Sequence, residues 1–319
     1  MKLQNSIEEL IEEQKKKWEI AFALYWKWYN YLDEVEKEEV DKTFRLYKEE
    51  IQQIKIPSMN DILGEVEEMK KRKDENWGIL GWKSWINFED WWYSFDEIVS
   101  GWQPWKVYTI AWYSNVWKSN FTYRLLTKQL DKKIFFFSTE VNKGMVLQNL
   151  VKSYYGISFY EALDKIVNEK EKIMEDFKNV VIFDDIIEFE QIKKIVETEK
   201  PEIVVIDFIQ WITAWNRDWY EKNSYLARAI QRLAIDNNVV LFSVAQITAW
   251  SVKEAKKDWV FTVKWAGEYF ESSDVILHIF RPVKSEPNDL TLKIEKNKFW
   301  PLREFEIEAE FKTWQFKSI

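Results

Sequence analysis

From residue 106 onward the chain alternates short, nearly continuous apolar runs with longer stretches of helical periodicity. KVYTIAW, KKIFFFSTE, VVIFDD, EIVVIDFIQ, VVLFSVAQ, DVILHIFR and LTLKIEKN read as strands, and the spans 119–130, 142–152, 189–198 and 222–236 read as helices. Strands that are apolar at nearly every position belong to a sheet covered on both faces, so the pattern predicts an α/β domain on a mostly parallel, doubly covered sheet. Ligands of such sheets bind beyond the carboxyl ends of the strands, which makes the residues just after each run the first to inspect.

Residues 1–75 follow a different pattern. Only Pro57 and Gly64 interrupt them, and Ile7, Leu10, Ile11, Trp18, Phe22 and Tyr25 recur near helical spacing, which predicts two or three helices with an apolar face in need of a partner. That face could cover the chain's own α/β domain or dock a neighbouring subunit. KKRKDEN, residues 70–76, has the character of a solvated linker. The expected organisation is an N-terminal helical segment and linker over 1–75 and the α/β domain over 76–319.

Composition narrows the class. With 46% hydrophobic and 31% charged residues the chain is built for folded domains rather than disorder. No apolar run approaches the roughly 18 residues of a membrane span, and MKLQNSIEELIEEQKKK is too acidic for a signal or transit peptide, so a cytoplasmic location without membrane contact is expected. The absence of Cys excludes disulfides and thiolate metal sites, and the single His278, inside DVILHIF, reads as a buried strand position. A net charge of -8 disfavours a broadly basic nucleic-acid coat while allowing positive charge confined to a channel.

Glycine and tryptophan are out of proportion. A chain of this length should hold roughly 22 Gly; this one holds 7 Gly and 20 Trp. The positions match as well as the counts. Trp102 and Trp105 flank a turn-like Gln-Pro, Trp91 and Trp92 stand in a polar stretch, and Trp250, Trp259 and Trp265 fall in a charged, loop-like region, all places where turn chemistry favours glycine. Many Trp letters are therefore read as codons that the source organism translates as glycine, as in lineages where UGA is reassigned. Trp18, Trp26 and Trp28, in a helical apolar region, are candidates for authentic Trp. The alternative is an aromatic-rich protein with every Trp real; the codons at 112 and 117 decide.

The stretch AWYSNVWKSNF, residues 111–121, gives this reading chemical weight. A phosphate-binding loop reads G-x-x-x-x-G-K-[ST] between a buried strand and a helix, because glycine lets successive backbone N–H groups close around phosphate oxygens. Here the strand, the helix, Lys118 and Ser119 are in place, and Trp112 and Trp117 occupy the glycine positions.

The ordered series AWYSNVWKS, FFFSTE, EIVVIDFIQ, FSVAQ, DVILHIFR and KIEKNKFWP resembles the ATPase domain of DnaB-type replicative helicases, within the RecA-like P-loop family, over roughly residues 80–316. ARAIQRLAIDNNVVLFSVAQI runs without gaps against that family's helix-strand-Gln pattern. The resemblance implies ATP and Mg²⁺ as cofactors. Trp112, Ser114, Asn115, Val116, Trp117, Lys118, Ser119 and Asn120 would form the nucleotide loop, with Lys118 at the β and γ phosphates and Ser119 and Asp207 at the metal. Glu140 would polarise the attacking water and Gln246 would sense the γ-phosphate. Lys296 and Lys298 match a Lys-x-Arg element that reaches into the neighbouring subunit's nucleotide, with lysine in place of the usual arginine finger. Arg281 matches a residue near the adenine base.

Two stretches, 211–223 and 249–267, are candidates to face single-stranded DNA, with Arg217, Lys222, Lys253, Lys256, Lys257 and Lys264 as phosphate contacts. The function implied is an ATP-driven helicase motor, a homo-oligomer expected to be hexameric, with loader or primase proteins as further partners. Two alternatives stay open: a RecA-like ATPase in recombination or regulation that does not unwind, and a non-catalytic scaffold if Trp112 and Trp117 are authentic.

Overall fold

The computed structural model describes residues 37, 59–75, 80–84, 94–112, 118–214, 219–246, 267–280, 288–298, 301–310, 312–313 and 315–318. The chain divides into two compact units, Met1–Val66 and Glu67–Ile319. The division falls within helix α1 (Met59–Glu75), the helix that carries most of the KKRKDEN run. Residues 7–25, read as amphipathic, lie outside the described residues.

The second unit is organised by a nine-stranded sheet. Its strands are β1 (Val107–Trp112), β2 (Ile134–Ser138), β3 (Val180–Phe183), β4 (Ile203–Asp207), β5 (Val240–Gln246), β6 (Val275–Phe280), β7 (Asp289–Asn297), β8 (Glu304–Glu310) and β9 (Gln315–Ser318). Its helices are α2 (Phe95–Val99), α3 (Lys118–Leu126), α4 (Lys143–Tyr155), α5 (Phe159–Asn168), α6 (Lys170–Asp176), α7 (Phe189–Glu199), α8 (Trp219–Asn237) and α9 (Gly267–Ser272). The order across the sheet is β3-β2-β4-β5-β1-β6-β7-β8-β9. Neighbours from β3 to β6 run parallel, and β7, β8 and β9 extend the sheet antiparallel.

The continuous apolar runs have the cause expected of them. Strand β2 turns Ile134 and Phe136 to one face, into a core with α3 residues Phe121 and Leu125 and α4 residues Val146 and Leu150. It turns Phe135 and Phe137 to the other, against Phe189, Ile192 and Val196 of α7 and Leu226, Ile230 and Leu233 of α8. With both faces covered, no position on the strand can be polar without losing its hydration. His278 is buried in β6, with Nδ1 3.2 Å from Glu295 Oε1 on β7.

Strand β8 obeys the opposite rule. In EFEIEAE the residues Phe305, Ile307 and Ala309 are buried, while Glu304, Glu306, Glu308 and Glu310 are exposed. One face of this strand therefore meets the core and the other meets water.

The turn before β1 separates two tryptophans that the sequence groups together. Its left-handed residues are Ser100 (φ 57°), Gly101 (φ 67°) and Trp105 (φ 63°). A bulky side chain rarely tolerates that conformation, whereas glycine enters it freely. Trp102 is instead a core residue, fully buried with its ring 4.8 Å from Tyr108 and 5.0 Å from Phe242. Its backbone exchanges hydrogen bonds with Trp82 at 2.8 and 2.9 Å. Residue 102 thus stands in the bridge between the left-handed pair Ser100–Gly101 and the turn at 104–105. Gly81 is tied to the same bridge, since a Cβ there would stand 2.6 Å from the Trp102 carbonyl carbon.

Candidate functional site

Parallel pairing brings several strand ends to one edge of the sheet. Trp112, the last residue of β1, is in register with Gln246, the last of β5, and with Ile279 of β6. Asp207, the last of β4, is in register with Ser138, the last of β2. Helix α3 runs over Lys118–Leu126, so its positive dipole end lies just past β1, with no acidic residue in the first turn.

Across this edge Ser119 Oγ donates a hydrogen bond to Asp207 Oδ2 at 2.8 Å. The two expected metal ligands, one on α3 and one at the end of β4, are therefore adjacent. Asp207 is buried and Ser119 half-buried, which keeps both oxygens in place in a region of lowered dielectric.

Thr139 stitches β2 to β4 just before Glu140. Its N–H donates to the Asp207 carbonyl at 2.8 Å, and its hydroxyl accepts the Phe208 N–H at 2.9 Å. Glu140 follows directly and is exposed. Tyr123 of α3 lies within the field of both carboxylates. Its phenol is pushed well above the ordinary value by burial and, beyond that, by the negative charges of Asp207 and Glu140. Sequence reasoning missed Thr139 and Tyr123, because their roles come from partners on other strands.

The donor set suits Mg²⁺ with a nucleotide. A hydroxyl and one carboxylate leave most of an oxygen coordination shell for phosphate and water, which is how Mg²⁺ is commonly held. Among the described residues no group of three or more His, Cys, Asp or Glu could form a metal cage. Asn120 lies buried in the first turn of α3.

Lys296 and Lys298 do not join this site. Strand β7 runs antiparallel to β6, so its end lies beside the start of β6, at the opposite edge of the sheet. Strand β1, six residues long, separates the two edges by about 20 Å at ~3.3 Å per residue. Lys298 Nζ donates to Asp274 Oδ1 at 2.9 Å, and Lys296 Nζ donates to the Glu271 carbonyl at 3.0 Å.

Lys222 donates to the Gln210 carbonyl at 3.0 Å, and burial holds its ammonium below the ordinary lysine value. Ser114, Asn115, Val116, Trp117, Arg217, Lys253, Lys256, Lys257, Lys264 and Arg281 lie outside the described residues.

Comparisons with known proteins agree with this layout. Residues 90–318 match the family described as DnaB-like helicase C terminal domain. No curated protein sequence matches significantly. Among solved structures, one ATPase domain superposes with a TM-score of 0.68 at 18% identity, covering 83% of this chain and 100% of that one. A DnaB-like replicative helicase, described with its interactions with primase, superposes with a TM-score of 0.64 at 16% identity, covering 89% of this chain and 77% of that one. At such identities the likeness speaks for the fold, and the fold is the expected RecA-like α/β core. Among the described residues no helix is long and apolar enough to cross a membrane.

Proposed function

We infer the function from one premise: the chain belongs to the family of DnaB-like helicase C-terminal domains. The reading is an ATP hydrolase of the DnaB helicase type that translocates on single-stranded DNA and separates duplex strands. The observation that carries it is the Ser119–Asp207 contact at the strand ends, beside a helix N-terminus and next to Glu140.

Each residue has a physical task. Lys118 offers a point charge to the phosphates, and Ser119 and Asp207 would hold Mg²⁺. That ion supplies charge neutralisation at the transferring phosphoryl group. Glu140, exposed at the mouth of the site, accepts a proton from the attacking water. Lys298, remote from its own chain's nucleotide, would serve a neighbour's, which supports a ring of identical subunits, expected to be six. Single-stranded DNA would run past the lysine-bearing segments 211–223 and 249–267, and loader or primase proteins are the further partners expected.

This reading requires glycine at 112 and 117 in the working protein. The left-handed backbone at Trp105 supports a glycine-decoding codon in the same chain, while the buried ring of Trp102 supports an authentic tryptophan three residues away. We therefore read the chain as carrying both kinds of Trp letter, with positions 1–75 an N-terminal helical segment ahead of the motor.

The test is strand displacement. Protein with glycine at 112 and 117 is expected to separate forked DNA in the presence of ATP and Mg²⁺. Hydrolysis stimulated by single-stranded DNA, with no displacement on any fork, would assign it to recombination or regulation; failure to bind nucleotide would leave a scaffold.

A further inference from the structure

At the sheet edge opposite Ser119 and Asp207, one buried carboxylate joins three chain segments. Asp274, 5% exposed, stands just before β6. Its Oδ2 accepts the N–H of Val107 at the start of β1 at 3.0 Å, and its Oδ1 accepts Lys298 Nζ from the end of β7 at 2.9 Å. Lys106 Nζ stands 3.9 Å from the same Oδ1. Main-chain bonds reinforce the junction, from Asp274 N to Val107 O at 2.9 Å and from Lys298 N to Asp274 O at 3.2 Å.

The junction holds more positive than negative charge. Burial lowers the Lys106 ammonium; Asp274 offsets this, and Lys298 lowers it further. Burial also lowers Lys296, with Lys298 adding to the effect. Lys106 and Lys298 thus meet at the Asp274 carboxylate, and Lys296 lies nearby, where the charges of Asp274 and Glu271 both act on it. Lys298 is the one whose side chain stays 37% exposed while its head is tethered. An ammonium has three donors, so one hydrogen bond inward leaves others to point outward.

The chemistry of lysine explains why a tether matters here. An arginine at this place would bring a rigid, planar fork that orients itself on phosphate, whereas lysine is a point charge on a flexible four-carbon stem. We propose that Asp274 is the positioning residue for Lys298, fixing its ammonium where it meets the phosphates of a nucleotide held by the adjoining subunit. The proposal rests on the ring reading above. Through Val107 the same carboxylate also anchors the start of β1, the strand whose other end opens the phosphate loop.

The experiment uses full-length protein with glycine at 112 and 117. Asp274→Asn keeps the size of the side chain and an acceptor for Val107 and removes the charge that holds Lys298. Expected is an unchanged Kd for an ATP analogue, an unchanged KM, and a DNA-stimulated kcat reduced at least tenfold. Lys298→Ala should fall to the same level, and the double variant no lower. Lys298→Arg, which brings its own fork, should recover much of the kcat lost in Asp274→Asn; a merely structural Asp274 would show no such recovery.

Mixing subunits then tests action in trans. Lys118→Ala subunits hydrolyse no nucleotide but carry an intact Asp274–Lys298 pair, so adding them to Asp274→Asn subunits should raise hydrolysis above either alone. If Asp274→Asn does not fold, Asp274→Glu serves, with a smaller kcat loss at unchanged KM. A normal kcat in Asp274→Asn beside a defective Lys298→Ala overturns the positioning role alone. A normal kcat in Lys298→Ala, with hydrolysis independent of protein concentration, overturns the ring reading beneath it.

Discussion

Ser119 and Asp207 lie 88 positions apart in sequence and meet at 2.8 Å through a single hydrogen bond. The contact exists because β1 and β4 both end at the same edge of a parallel sheet, where α3 begins, with β5 between them. Neither residue needs its immediate sequence neighbours to find the other, so the site is a property of the topology.

The first prediction separates the roles at that edge. Lys118→Ala should abolish nucleotide binding or turnover. Glu140→Gln should keep binding and lose hydrolysis by a factor on the order of 10² to 10⁴, the usual contribution of a general base. Asp207→Asn should lose the Mg²⁺ dependence of both. Equilibrium binding of a fluorescent ATP analogue beside steady-state hydrolysis checks all three, and equal loss of binding in Lys118→Ala and Glu140→Gln contradicts the assignment.

The second concerns the loop as written. In a working phosphate loop an indole at 117 would occupy the space of the phosphates, and position 112, the first glycine position, turns too tightly for a large side chain. Protein expressed with Trp at both positions should show no measurable ATP affinity, a loss larger than the ~4 kcal/mol between a micromolar and a millimolar site. Trp112→Gly with Trp117→Gly should restore it. Tight binding by the double-Trp protein would defeat the glycine reading.

The third prediction distinguishes Trp102 from Trp105. Trp105→Gly relieves a left-handed residue and should raise stability by about 1 to 2 kcal/mol. Trp102→Ala empties a packed core position and should lower it by about 3 to 5 kcal/mol. Denaturant titration measures both. Mass spectrometry of the peptide spanning 101–106, from protein made in its own source, should find Trp at 102 and Gly at 105; the reverse pattern refutes the sorting.

The fourth concerns pH. Lys152, in the last turn of α4 and 5% exposed, has its ammonium pushed from 10.5 down to about 8 by burial. Between those values the unfolded chain binds a proton that the folded chain does not, so stability rises with pH across that window. Below about 8 both states are charged and the fold carries the full cost of burying the ammonium. Lys152→Met should raise Tm at pH 7 and flatten the rise between pH 8 and 10.5; a rise of equal size in the variant would rule Lys152 out as its source.

The sequence was most legible where burial is simplest. Strands β1 to β6 announce themselves by nearly continuous apolar runs and β7 by the spaced Leu290, Leu292 and Ile294, and Lys118, Ser119, Glu140, Asp207 and Gln246 could be located because each stands at or just past the end of such a run or at the helix it feeds. Strand β8 escaped notice although EFEIEAE alternates cleanly, since its apolar residues are few and spaced by glutamates. Helix α5 escaped too, although Ser158 and Glu161 form a reciprocal cap at its start, Glu161 Oε2 accepting the Ser158 N–H at 2.7 Å. The apolar run EIVVIDFIQ overstated its strand, because the chain turns at Asp207 and winds into a short 3₁₀ turn over Ile209–Trp211. Trp102 and Asp274 were beyond reach of local patterns: one is a core residue through aromatic partners on α2, β1 and β5, and the other matters through partners on β1 and β7.

The outward row of Glu304, Glu306, Glu308 and Glu310 on β8 acts as a fence, offset in part by Lys293, whose Nζ stands 3.6 Å from Glu304 Oε1, and by Lys317 in register with Glu308. Strand β8 is paired on both sides, so no free backbone edge is shielded by these carboxylates; what they govern is the approach of other charged bodies. A polyanion nearing that face meets repulsion that reaches about 8 Å at physiological salt. A second copy presenting the same face is turned away by the same field. Part of the chain's -8 net charge is thereby spatially organised: a nucleic acid is steered off this flank toward less acidic surfaces, a bias that added salt erases.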